Sequence, residues 1–520
     1  MVIIPRSLIK NIVAIVSLAL GLLILAFGFL GTPAIAQKAE ASNMDLLGYN
    51  DLQGRSAFQV VLQKQGERWF AYVGERGDVP ERVNPLTGHA EPSGTAIIDV
   101  TDPKLPKYVS HIPGEPAEVN GKGYRGVTRP AGAMFARVCS GRELPHADKS
   151  KFYLLRSFGS TAWEMWDVTD TAKPSRLSVI ASGFENTHNG WWECDSGIAY
   201  ISGGPLDWLN PPLGDHHDRA SHSLIYDLSD PTKPVFIRSF GLPGQEPGSA
   251  VPMPISGMHH LLSTGPKGNR VYFANGNAGD GILEIVDREK LLDGPKEPTD
   301  ENLRYPVVGR VDFPSYLGIH TPFPMLQMQL PEFAKQKEGS VKDFLAVIGE
   351  GHGNFKECRD ERQLVRIFDI TTESKPVGVS TWTVPEASGD FCSKGGYFGT
   401  HTSNESFTPI YYKRVLFIAH LNAGVRALDV RDPYHPKEIG YYIPAVTEKT
   451  EKSCPEVLVH GFEREGNAEP CKVAIETTDV EVDDRGYIYI VDRQNTGLHI
   501  LELTGAARQV ADFSKAEAGR

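Results

Sequence analysis

This chain has no run of basic residues, no second long apolar segment, and none of the short motifs that announce a reaction by themselves. Its 53 Lys and Arg stand against 65 Asp and Glu, giving a formal charge of −12 with the cations scattered. Nucleic acid is therefore not an expected partner, since binding it rests on clustered Lys and Arg. No cysteine pair has C-x-x-C spacing and no C-x-x-C-H occurs, which removes the local signatures of redox dithiols, cysteine zinc sites and covalent haem. No G-x-S-x-G elbow marks a serine hydrolase. Low-complexity sequence is confined to a polar tail, residues 515–520. The 52 Gly and 37 Pro imply many turns and not disorder, because strand-length apolar runs interrupt every stretch rich in them.

What is present begins with a leader. Arg6 and Lys10 precede the one long apolar run, residues 12–30, and Ala34-Ile35-Ala36 puts small residues where a leader peptidase reads. Residues 1–36 therefore read as an export signal, and the mature chain is expected in the periplasm or outside the cell. Left uncut, the same 19 residues are long enough to tether the protein, the only membrane contact expected. Removing them takes away two cations and moves the formal charge to −14, from −12.

The rest of the sequence repeats. Residues 415–444 read as three antiparallel strands: the run from Val415, a turn at Asn422 and Gly424, a return strand ending at Asp429, and a third strand from Glu438 that Pro444 stops. The signature of the second strand recurs as IIDVTDPKLP from Ile97, MWDVTDTAKP from Met165, IYDLSDPTKP from Ile225, IVDREKLLDGP from Ile285, IFDITTESKP from Ile367 and ALDVRDPYHP from Ala427, with ILEL from Ile500 closing the set. An apolar strand precedes every copy. Small sheets that cannot bury both faces alone must stack, and radial stacking leaves few open edges. The expected fold is all-β: a seven-bladed β-propeller of four-stranded antiparallel blades spanning residues 37–514. The recurring Asp99, Asp167, Asp227, Asp287, Asp369 and Asp429 are expected to bond the strand-end turn and not to react.

In a propeller the innermost strand of each blade lines the channel. Upstream of the strand pairs stand NTHNGWWEC from Asn186, GMHHLLS from Gly257, GIHTPFP from Gly318 and GTHTSNES from Gly399, so four inner strands open on histidine. His188, His260, His320 and His401 are the expected metal ligands, with His259 as the alternate, because residues alternate in direction along a strand and only one of the pair should face inward. Neutral imidazoles suit Cu, Zn or Fe. The other three blades offer Arg55, Ala133 and Thr478-Asp479 at that place. Trp191 and Trp192 are expected to pack between blades, and the loop from Asp215 to His222 to lie on the surface.

The long insertions fall on the face where the inner strands begin, which makes it the expected binding face for a small molecule or an envelope protein. Glu350 and His352, in GEGHGN, leave a strand toward that face and are candidates for an acid and a base or ligand, against the plainer reading of a solvated loop pair. Six cysteines in an exported chain can all pair. Cys454 with Cys471, Cys358 with Cys392, and Cys139 with Cys194 are the expected disulfides, the first two stapling insertions.

The IIDVTDP, IYDLSDP and ALDVRDP segments resemble the LVIVD-repeat proteins, exported propellers found mainly in bacteria, over nearly all of the mature chain. The resemblance implies the fold and carries no settled reaction. More distantly, HLNAGVRALDVRDPYHP, residues 420–436, is similar to a blade of the selenium-binding protein and methanethiol oxidase family, which implies copper among the metals. The cysteine segments of that family have no counterpart here. Together these readings describe an exported propeller with a histidine-lined channel mouth that binds a transition metal and performs oxidoreductase chemistry. The competing reading is a scaffold propeller without activity, whose looped face docks a protein of the envelope.

Overall fold

The computed structural model describes residues 38–77, 81–116, 132–184, 187–204, 208, 222–252, 254, 256–276, 280–314, 317–331, 339–350, 363–453 and 472–516. The leader, His352, Cys358, Cys454, Cys471 and Asp215 lie outside them. No helix among the described residues is long and apolar enough to cross a membrane.

Residues from Ala39 onward form one compact unit, and it is a seven-bladed propeller of antiparallel sheets. Blade four shows the pattern: Met258–Ser263 innermost, then Arg270–Asn275, Ile282–Asp287 and Val307–Asp312, each hydrogen-bonded to the next. Residues 415–443 form the three strands expected of them, Val415–Ala419, Val425–Asp429 and Lys437–Ile443. Closure of the ring is visible in the core. Period-two alternation sends Ala71 and Val73 of blade one against Tyr489 and Ile500 of blade seven, while Phe70 and Tyr72 pack with Leu154 of blade two. The same exchange joins every neighbouring pair, ending with Phe417 of blade six against Ile490 of blade seven. Each fully buried Phe, Leu or Ile contributes about 1.5–3 kcal/mol, so the blades stabilise one another and not themselves.

The signature aspartates hold turns. Asp99 Oδ1 accepts from Thr101 N at 2.9 Å, Asp167 from Thr169 N at 3.0 Å, and Asp369 from Thr371 N at 3.0 Å. Asp287 accepts from Lys290 N at 3.0 Å and caps a short helix instead. A carboxylate two residues ahead of the amide it accepts from is the local chemistry of an Asx turn, which is why the motif recurs.

One closing device has no trace in the repeat. Glu40–Ser42 pairs with the outer strand of blade six, Glu40 opposite Ile443, and Met44–Asn50 completes blade seven, Met44 opposite Leu503. The segment after the leader therefore bridges two blades at once. Cys139 and Cys194 are joined by a disulfide between the innermost strands of blades two and three, with Cα atoms 5.4 Å apart, and Cys392 is also disulfide-bonded.

Above blade one, a small hairpin of Arg82–Val83 and Ala90–Glu91 is fastened by buried charge. Arg55, expected at the channel, turns away from it. It donates to the carbonyls of Glu91 at 3.0 Å and Arg82 at 2.9 Å. His111 Nε2 lies 3.0 Å from Glu75 and its Nδ1 2.8 Å from Glu91, so both nitrogens must carry protons. Burial opposes that charge, but the two carboxylates outweigh it and raise the pKa of His111. A raised folded pKa gives stability that is full below the ordinary value, about 6.5, and lost as pH rises through the folded value. His111→Gln is expected to remove this dependence. Thermal unfolding followed from about pH 5 to about pH 9 checks it: a wild-type profile that stays parallel to the variant would refute the link.

Candidate metal centre

Four inner strands deliver an imidazole at their entrance. The His188 amide donates to Ser202 Oγ at 2.6 Å, the His320 amide to Ile348 O at 2.7 Å, and the His401 amide to Ala419 O at 2.9 Å. His259 is placed by a bulge: in blade four the ladder shifts between Met258 and His260, so His259 is the extra residue. Alternation therefore fails at this pair. Both are buried, and the rings of His259 and His260 each lie 4.8 Å from that of His320. The His401 ring is also 4.8 Å from His320, and His188 stacks on His259 at 3.9 Å.

Glu350 joins them. It follows the second strand of blade five, is 4% exposed, and places Oε2 at 2.8 Å from His259 Nε2 and Oε1 at 3.5 Å from His401 Nε2. His259, His320 and Glu350 each bring one ligand atom within 4.8 Å of the others. His260 is drawn off: its Nε2 is 2.6 Å from Glu405.

The outer hydrogen bonds decide which nitrogen carries the lone pair. His188 Nδ1 lies 3.0 Å from the His259 carbonyl and His401 Nδ1 lies 2.5 Å from the Thr478 carbonyl. A carbonyl only accepts, so these Nδ1 atoms are protonated and each neutral ring keeps its lone pair on Nε2. His320 Nδ1 pairs with the Thr321 hydroxyl at 2.9 Å. Nε2 of His259, His320 and His401 are buried without a hydrogen-bond partner; the short contact of His259 with Glu350 lacks the alignment of one. An unsatisfied buried polar atom costs about 1–3 kcal/mol, and here three converge. Burial first, and the neighbouring imidazoles second, hold His188 and His320 well below the ordinary histidine range. Burial also lowers His401, against the pull of Glu350. Lowered in this way, His188, His320 and His401 are neutral and able to ligate.

Blades one and two close the opposite side with phenyl groups. Phe135 is 4.6 Å from the His188 ring and Phe58 is 5.5 Å from that of His401. Ala133 is not at the channel, since it pairs with Glu75 of blade one. Thr478 supplies only its carbonyl, and Asp479 accepts from Val60 N and Thr402 Oγ1, both at 2.9 Å.

Below the imidazoles lies a layer that sequence reasoning missed. Glu405 is four residues past His401, on the same side of an extended segment, so alternation could have found it. Arg137 grips Glu405 with two nitrogens and donates to Gly190 O at 2.7 Å. Burial would raise the pKa of Glu405, but Arg137 and His260 draw it down to about 2. This layer separates the histidines from a cleft of about 210 Å³ on the far face, lined by Trp69, Trp191 and Glu481. Trp191 and Trp192 do pack between blades. His222, in contrast, is buried against Trp208 at 3.9 Å and begins a strand, so it is no surface residue.

No family model matches the chain. No curated protein matches it either. Among solved structures, Raptor of Chaetomium thermophilum is 8% identical, with a TM-score of 0.45, covering 90% of this chain and 29% of its own. Sqt1 of the same organism, bound to the N-terminus of ribosomal protein L10, is 10% identical, with a TM-score of 0.44, covering 88% and 99%. At these values they carry no argument about the site, and the function rests on the residues themselves.

Proposed function

We propose that the propeller axis holds one transition-metal ion, with His259, His320 and Glu350 as its core ligands and His188 and His401 beside them. The observation that carries this is the convergence of buried, unpartnered Nε2 atoms on one carboxylate. Three of the rings hold their Nδ1 against a carbonyl or hydroxyl, the arrangement that orients metal-binding histidines. An all-nitrogen-and-oxygen set suits Zn, Cu or Fe, and the likeness of residues 420–436 to the methanethiol oxidase family favours copper. A bound ion of this kind supplies Lewis acidity or electron transfer. The chain's own residues orient the ligands, exclude water with Phe58 and Phe135, and confine access to the histidine-bearing face by the Arg137–Glu405 layer. On this reading the protein is an exported metal-dependent oxidoreductase whose repeats resemble those of the LVIVD-repeat proteins.

Elemental analysis of protein purified from its native compartment tests the reading. About one equivalent of Cu, Zn or Fe per chain is expected; metal-free protein that still engages an envelope partner would favour the scaffold.

A further inference from the structure

Arg493 stands on the histidine-bearing face and its use is only half explained. Its side chain is 8% exposed. Through Nε it meets Glu476, whose side chain is fully buried and also accepts from Tyr397 N at 3.0 Å and Gln494 Nε2 at 3.3 Å. The guanidinium lies 4.4 Å from the centre of the Tyr397 ring. Among the described residues, Nη1 and Nη2 donate to nothing. A guanidinium serving only as a counter-ion would present its two-nitrogen fork to the carboxylate. Here Nε alone donates to the carboxylate, which leaves the Nη edge over.

Its position relates it to the imidazoles. Asp492 pairs with Thr477, and the Arg493 amide donates to Glu476 O at 3.1 Å, so Arg493 sits level with Glu476. Thr478, whose carbonyl holds His401, is two residues further in, which at strand rise is roughly 7 Å. The charge of Arg493 acts on both Glu350 and His401.

We infer that Arg493, backed by Tyr397 and fixed by Glu476, is an anion-binding residue of the vestibule, and that the centre's substrate carries a carboxylate. The planar Nη edge takes both oxygens of a carboxylate, while the remainder of the molecule reaches toward the imidazoles. The inference rests on the metal reading for what happens at the other end of the ligand, and not for the anion contact itself.

Succinate is the probe, titrated calorimetrically into the full chain, metal-free and after loading with copper or zinc, with butane-1,4-diamine as the cationic counterpart. Arg493→Gln alone would strand the buried Glu476, so the test variant is Glu476→Gln with Arg493→Gln, which removes both charges. Wild type is expected to bind succinate and not the diamine, and the double variant to bind it about 10- to 100-fold more weakly, the weight of hydrogen bonds to a charged group, at unchanged metal stoichiometry. Equal succinate affinity in wild type and variant, or preference for the diamine, would overturn the inference. If no metal binds and succinate binding is still weakened in the double variant, the anion site stands and the metal reading falls.

Discussion

Replacing His320 with alanine is expected to lower affinity for the metal at least about 100-fold, since even the outer partners of ligands are worth about 10–100-fold. His320 is chosen because its ring is within 4.8 Å of the His259, His260 and His401 rings at once. The informative contrast is the adjacent pair. His259→Ala should weaken binding as His320→Ala does, whereas His260→Gln should leave the metal bound, because Nε2 of His260 is committed to Glu405. Metal titration of the three variants, with far-UV circular dichroism to confirm folding, separates them. Retention by His259→Ala together with loss by His260→Gln would reverse the assignment.

The second large effect is one of stability. Arg137→Met leaves Glu405 buried without its guanidinium, and breaking a buried pair by removing one partner costs about 3–5 kcal/mol. Glu405 is 10% exposed at its side chain, as is Arg137, so water does little to replace the lost contact. The sign with pH follows from the depressed pKa, about 2 in the folded protein. Its contribution is present above the unfolded value, about 4.3, and is lost as pH falls through the folded one. The deficit of the variant is therefore full at neutral pH and narrows in acid. Urea unfolding at several pH values measures it, and Arg137→Met with Glu405→Gln should recover part of the loss. A single variant as stable as wild type at pH 7 would show that the pair is not buried as described.

The blades were legible because their information is local. Asp429 bonds an amide two residues on, Asn422 and Gly424 make the turn, and the apolar run of residues 415–419 declares a strand without reference to anything distant. The entrance histidines were legible for a related reason, as they occupy a fixed place in the repeat. Three features were hidden, each by a different physical cause. The pairing of Met44 with Leu503 joins residues far apart along the chain through one half-exposed strand, whose own pattern is weak. The bulge at His259 breaks the period-two rule where the rule was applied. Glu350 was itself legible as a candidate in GEGHGN, but its partners were not, since His259 and His401 reach it from other blades. Arg493 carries no motif at all; its neighbours Glu476 and Tyr397 come from other elements.

The central claim is that circular closure collects imidazoles from separate blades around one ion. Anomalous diffraction at the metal edge, from crystals of the full chain grown with copper or zinc, tests it most directly. The account predicts one strong peak within bonding distance of His259 Nε2, His320 Nε2 and a Glu350 oxygen. A map with no peak there, or with its only peak at surface residues, would contradict it.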